Sequence, residues 1–140
     1  MERGGEYGAT DRMHAAALAE VQDEAAAAET RLKQGSWADH ITIVKLLTNW
    51  SLLPVTVATG HWDLDDYVND LFGRDALQEI LEHDSAVLVE RIAPIIEKAD
   101  DVFRAETTTD VHGVIASEFR VDTHDGWWWQ RVPTIPFPSY

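Results

Sequence analysis

Apolar residues recur at steps of three and four between positions 88 and 103, a period that a helix gathers onto one face. The stripe consists of Leu88, Ile92, Ile95, Ile96, Ala99, Val102 and Phe103. Ser85 stands where an N-cap is expected, and Pro94 inside the pattern predicts a kink. Because a helix with one apolar face must bury it against other elements, the sequence predicts a helical domain.

Three further helices are predicted before this one. Residues 12–34 are rich in alanine, the best helix former, and Gly35 is expected to end that helix. Residues 36–60 form a largely apolar helix that Ser36 caps and Pro54 kinks. Asp63 caps a third helix, in which Gly73 is a candidate break.

The two ends of the chain have a different character. Residues 1–11 contain three glycines and few apolar side chains, which is typical of a flexible arm. Residues 111–140 carry β-prone stretches and a proline-rich end, so we expect a non-helical tail that packs on the helical domain of residues 12–110. The predicted fold is therefore mostly α, with about four helices in a small bundle. The alternative is α+β, with strands near residues 52–58, 113–121 and 127–132.

Three consecutive tryptophans, Trp127, Trp128 and Trp129, stand out in this tail. In an extended segment, neighbouring side chains point to opposite sides. We therefore expect Trp127 and Trp129 to be buried, and Trp128 and Arg131 to lie nearer the surface. Tryptophan and arginine are enriched among residues that dominate protein interfaces, so the latter two are candidate partner contacts.

Length and composition limit the class of protein. A chain of 140 residues corresponds to one domain. The absence of cysteine excludes disulfides, thiolate metal sites and a cysteine nucleophile. We expect no signal peptide and no membrane-spanning segment, so the cytoplasm is the expected location.

Charge is the strongest global signal. The net charge is −14, from 25 acidic and 11 basic residues. Such a balance is typical of many soluble bacterial proteins, and it disfavours direct binding to nucleic acid or to an anionic membrane. It favours a basic protein partner, because opposite fields steer association.

The acids concentrate between Asp63 and Asp110, where fourteen acidic residues face four basic ones. A solvated face is one interpretation, and a partner-binding surface is the other. The candidate surface consists of Asp63, Asp65, Asp66, Asp70, Asp75 and Glu79, together with Trp128 and Arg131. A separate polar cluster of Tyr67, Asn69 and Arg74 is expected to have a structural role, with Arg74 bonding carbonyls of the tail.

No motif indicates catalysis, a metal or a cofactor. The six histidines are isolated from one another, and no phosphate-binding loop, dinucleotide fingerprint or nucleophile elbow occurs. We therefore name no catalytic residue and no cofactor.

Three function classes fit these observations. The first is a small acidic protein that binds and neutralises or regulates a protein partner, as immunity proteins and antitoxins do. The second is an adaptor that docks through its aromatic tail. The third is a small enzyme or a ligand-binding helical domain with a concave site. The oligomeric state is left open by the sequence.

Overall fold

The mostly α fold is confirmed in a computed structural model, which describes residues 3–35, 41–59, 63–110, 115 and 126–134. Five α-helices occupy the described part of the chain: α1 (Arg3–Ala17), α2 (Gln22–Gln34), α3 (Ile43–Thr59), α4 (Leu64–His83) and α5 (Ala86–Ala105). Two short strands, β1 (Thr107–Thr109) and β2 (Arg131–Pro133), pair antiparallel, with Thr108 opposite Val132. A 3₁₀ turn over Trp127–Gln130 leads into β2.

The first predicted helix is wrong in both its start and its continuity. Helical backbone begins at Arg3, so residues 3–11 of the predicted arm belong to α1. Each glycine destabilises a helix by only about 1 kcal/mol relative to alanine. A helix that is already formed in the alanine-rich segment can therefore extend through these glycines. A 3₁₀ turn over Ala19–Val21 then separates α1 from α2, and it brings Leu18 and Val21 into the core. The predicted end at Gly35 is confirmed.

Helix α3 begins at Ile43, later than predicted, and continues through Pro54 to Thr59. The alternative strand over residues 52–58 is therefore wrong, because these residues are helical. The predicted cap at Ser36 and the contribution of Trp37 lie outside the described residues. Apart from the helical Ile115, so does the alternative strand over residues 113–121.

Helix α4 is continuous across Gly73, so the candidate break is wrong. Apolar residues on both sides of Gly73, among them Val68, Leu71, Leu77 and Ile80, are buried because α3, α5 and the C-terminal segment (residues 126–134) all contact this helix. Both predicted caps are confirmed. The Asp63 carboxylate accepts the backbone N–H of Asp66, and the Ser85 hydroxyl accepts that of Leu88.

Phe103 lies at the centre of the core, where helices α3, α4 and α5 meet the C-terminal segment. It is fully buried, with ring centroids 4.6 Å from Trp50, 6.2 Å from Tyr67 and 5.9 Å from Trp127. Burial of a large side chain stabilises a fold by roughly 1.5–3 kcal/mol. The C-terminal segment is therefore part of the core, as the sequence predicts for a packed tail.

Candidate functional site

The candidate acidic surface splits into outward and inward residues. Asp65 and Asp66 are exposed in the first turn of α4, where carboxylates interact favourably with the helix dipole. Asp63 is half-buried and is used as the N-cap of the same helix. The first turn of α4 is thus the part of the predicted surface that solvent and a partner can reach.

Further along α4 the predicted acids turn inward. Asp70 is buried, and Asp75 and Glu79 are half-buried. The hydrogen bond with Asp84 raises the pKa of Arg31, and burial opposes this increase in part. The negative charges of Asp84 and Glu79 raise that pKa further, so Glu79 acts on a group of the protein itself. Because these carboxylates lie against the protein's own groups, they offer less surface to a partner than the sequence predicts.

Asp75 holds the C-terminal segment through one oxygen atom. Its Oδ1 accepts the indole N–H of Trp128 at 2.8 Å and that of Trp129 at 2.8 Å. Trp129 also contacts the edge of Phe72, with ring centroids 4.9 Å apart. We call Asp75, Trp128 and Trp129 the tryptophan latch, because together they fasten the segment to α4.

The predicted alternation of the tryptophans is wrong at two positions. Trp128 is only 4% exposed and Trp129 is fully buried, whereas Trp127 is half-buried. The cause is the 3₁₀ turn, in which consecutive side chains do not alternate between two sides. Trp128 is therefore a core residue with a satisfied N–H, and not an exposed contact.

Arg74 lies beneath the latch and forms a buried ion pair with Asp100 of α5. Its Nε donates to Asp100 Oδ1 at 3.0 Å and its Nη2 to Oδ2 at 2.9 Å, a two-point geometry that favours a strong interaction. Trp50 donates to the same Oδ1 at 2.8 Å, and the guanidinium carbon lies 4.2 Å from the ring centroid of Trp128. Arg74 thus joins three helices and the C-terminal segment.

The carbonyl contacts expected of Arg74 are made by Arg131 instead. Arg131 is half-buried and donates to the carbonyl oxygens of Arg104 and Thr107, at 3.1 and 2.7 Å. Tyr67 in turn donates its hydroxyl to the carbonyl of Arg131 at 2.7 Å, and burial raises the pKa of this phenol. Tyr67 and Arg74 are structural, as predicted, but Asn69 is exposed.

A second polar group, which the sequence did not single out, lies between α1 and α3. His14 is fully buried, and its Nδ1 lies 2.9 Å from the Thr48 hydroxyl. One turn earlier, Asp11 binds the ammonium group of Lys45 through Oδ2 at 2.5 Å. Among the described residues, neither Nε2 of His14 nor Oδ1 of Asp11 has a hydrogen-bond partner, although both atoms are buried.

The surroundings favour a neutral His14. Burial lowers the pKa of His14, and the charge of Asp11 opposes this only in part. Burial alone would raise the pKa of Asp11, but hydrogen bonding with Lys45 and Thr48 and the charge of Lys45 lower it overall. A neutral imidazole next to an ionised carboxylate is therefore expected near neutral pH.

An open pocket of about 350 Å³ lies beside His14, between α1, α3 and α5. Met13 and His14 line it from α1, Ser51 from α3, and Ile95, Lys98 and Val102 from α5. Its walls are mostly apolar, which is typical of small-molecule sites. The sequence carried one weak signal for this place, a lone histidine in an alanine-rich helix.

The described part of the chain has neither a candidate metal site nor a membrane-spanning helix. No three histidine, aspartate or glutamate side chains there lie close enough together to hold a metal ion. No helix there is long and apolar enough to cross a membrane.

Comparison with protein-family models, with curated proteins and with solved structures finds no match to this chain.

Proposed function

We propose that the protein binds a basic protein partner and thereby neutralises or regulates it. The observation that carries this proposal is the imbalance of charge left at the surface after the internal ion pairs are made. At least five of the eleven basic side chains pair with the protein's own carboxylates, at Arg31, Lys45, Arg74, Arg91 and Arg104. The exposed acids among this surplus remain available to a partner.

Many of the surplus acids lie on the hairpin of α4 and α5. Exposed carboxylates follow its length, from the start of α4 to the second half of α5: Asp65, Asp66, Glu82, Glu90 and Glu97. A surface whose charges share one sign accelerates association with a partner of opposite charge. Dissolved salt weakens this attraction, since charges more than about 10 Å apart are largely screened at 0.1 M ionic strength. These acids supply the salt-sensitive attraction that a neutralising protein of this class requires.

Docking through the aromatic tail receives less support. Both latch tryptophans are buried, and their N–H groups are already bonded to Asp75. A partner that gripped Trp128 would first have to open the core. The third class, a small enzyme or a ligand-binding domain, requires a concave site, and the pocket beside His14 is such a site.

The test is affinity capture of the tagged protein from its native cells at low and high salt, read by mass spectrometry. A neutralised variant carries Asp65→Asn, Glu82→Gln, Glu90→Gln and Glu97→Gln, which keep side-chain size. Each of the four replacements is also made singly, and the control matched to those single variants is Asp23→Asn, at an exposed acid of α2. The proposal expects one stoichiometric basic partner that is lost both at high salt and in the neutralised variant.

Two outcomes would contradict the proposal. One is a partner that survives both high salt and neutralisation, which would point to an apolar interface. The other is the absence of any stoichiometric partner in these cells.

A further inference from the structure

The pocket beside His14 combines a mostly apolar wall with a lining residue, His14, that carries a buried polar atom without a partner. His14 is fully buried and lines the pocket, and its Nδ1 is engaged by Thr48. Its Nε2 has no partner among the described residues. Buried polar atoms are nearly always hydrogen-bonded, so an orphan atom at a pocket calls for an explanation.

The polar neighbours of His14 indicate what kind of partner Nε2 requires. Nδ1 of His14 lies 2.9 Å from the Thr48 hydroxyl oxygen, and this oxygen can accept from Nδ1–H while its own proton points towards the nearby Asp11 carboxylate, which only accepts hydrogen bonds. In this tautomer of the neutral imidazole, Nε2 carries a lone pair and is an acceptor.

The volume and the apolar walls of the pocket indicate the size and the polarity of the rest of the ligand. Its volume of about 350 Å³ lies at the lower end of the range for small-molecule sites. Met13 and Val102, at 60% and 42% exposure, are two unusually exposed apolar side chains, and both line this pocket. Methionine adapts its shape to different apolar groups.

We propose that this pocket binds a small molecule with an apolar body and one hydroxyl group, which donates a hydrogen bond to Nε2 of His14. The site is independent of the α4–α5 acids and of any protein partner. Because His14 is fully buried, a lining side chain has to shift before the hydroxyl reaches Nε2, and the flexible, exposed Met13 is the neighbour that can do so. The apolar body then lies against Met13, Ile95 and Val102, and the hydroxyl gives the buried imidazole its missing partner.

The test compares two probes that differ in a single donor, 2-naphthol and 2-methoxynaphthalene, by titration calorimetry on the full chain near neutral pH. Nitrogen-15 NMR of the imidazole follows Nε2 during the same titrations. We expect 2-naphthol to bind about tenfold more tightly, since one added hydrogen bond contributes of that order. We also expect the Nε2 resonance to be that of an unprotonated nitrogen and to shift with 2-naphthol.

Variants separate the hydrogen bond from the apolar contact. His14→Phe keeps an aromatic ring but removes the acceptor, so both probes should bind it equally. Lys98→Ala changes an exposed residue of the same pocket and should keep the preference for 2-naphthol. If His14→Phe does not fold, the difference in affinity between the two probes for the unaltered protein still tests the proposal. Equal affinity of that protein for both, no binding of either, or an Nε2 resonance that 2-naphthol leaves in place would overturn the proposal.

Discussion

Replacing Asp75 by alanine should release the C-terminal segment from α4. One oxygen of this carboxylate accepts both latch indoles, each at 2.8 Å. Alanine leaves no acceptor there, and Trp128 and Trp129 are too deeply buried for water to reach their N–H groups without rearrangement. The substitution therefore leaves two buried donors unsatisfied at once.

The size of the effect follows from those two donors. A buried donor that loses its partner costs about 1–3 kcal/mol, which gives roughly 2–6 kcal/mol for the pair. Asp75 itself is half-buried, so a water molecule can fill part of the vacated volume and lower the loss to about 2–4 kcal/mol. For a chain of this length, that loss lowers the melting temperature by roughly 6–12 °C.

Urea unfolding, followed by fluorescence and circular dichroism, measures this change in the free energy of unfolding. Asp75→Asn keeps an acceptor oxygen and should lose about half as much, because only the charge is removed. Glu97→Ala makes the same change of charge at an exposed position and should stay within about 0.5 kcal/mol of the parent. If Asp75→Ala is as stable as Glu97→Ala, the latch does not hold the segment and the reasoning is wrong.

Three further outcomes are expected. Arg74→Leu leaves Asp100 as a buried lone charge and should cost about 3–5 kcal/mol in urea unfolding, whereas the double replacement of Arg74 and Asp100 by leucine should recover part of that loss. Gly126→Ala should lower the melting temperature in a thermal scan, because its Cβ would lie 2.2 Å from the ring of Trp128; an unchanged value would contradict this packing. Burial lowers the pKa of His14 below its ordinary value of 6.5, so the unfolded chain binds more protons, and stability should fall as the pH drops from 6.5 through the folded-state pKa. Urea unfolding across that range should show a weaker pH dependence in His14→Gln, and an equal dependence would refute the assignment.

Short-range sequence patterns predict the helices that pack around the latch. The spacing of apolar residues in α5 and the caps at Asp63 and Ser85 all act within a few residues, and each is present in the structure. The break between α1 and α2 was missed because alanine favours helix at every position of that segment, whereas burial of Leu18 and Val21 depends on distant helices.

The polar contacts were harder to predict because they join residues far apart in the chain. Arg74 and Asp100 are separated by 26 positions, and Asp75 and Trp128 by 53. No periodicity relates such pairs, so the sequence alone predicts that the carboxylate of Asp75 belongs to a partner surface. The inward position of Trp128 follows from a short 3₁₀ turn, and the tryptophan run itself carries no sign of that turn.

Pairing of β1 with β2 also affects how the protein folds with time. Arg131 meets Thr107 across 24 positions of chain, so this contact closes a long loop, whereas each helix forms from near neighbours. Three of the six tryptophans lie in the C-terminal segment, so their emission is sensitive to loop closure, while far-ultraviolet dichroism follows the helices. A stopped-flow experiment with both signals can therefore compare the rate at which the C-terminal segment docks with the rate of helix formation, with no added label.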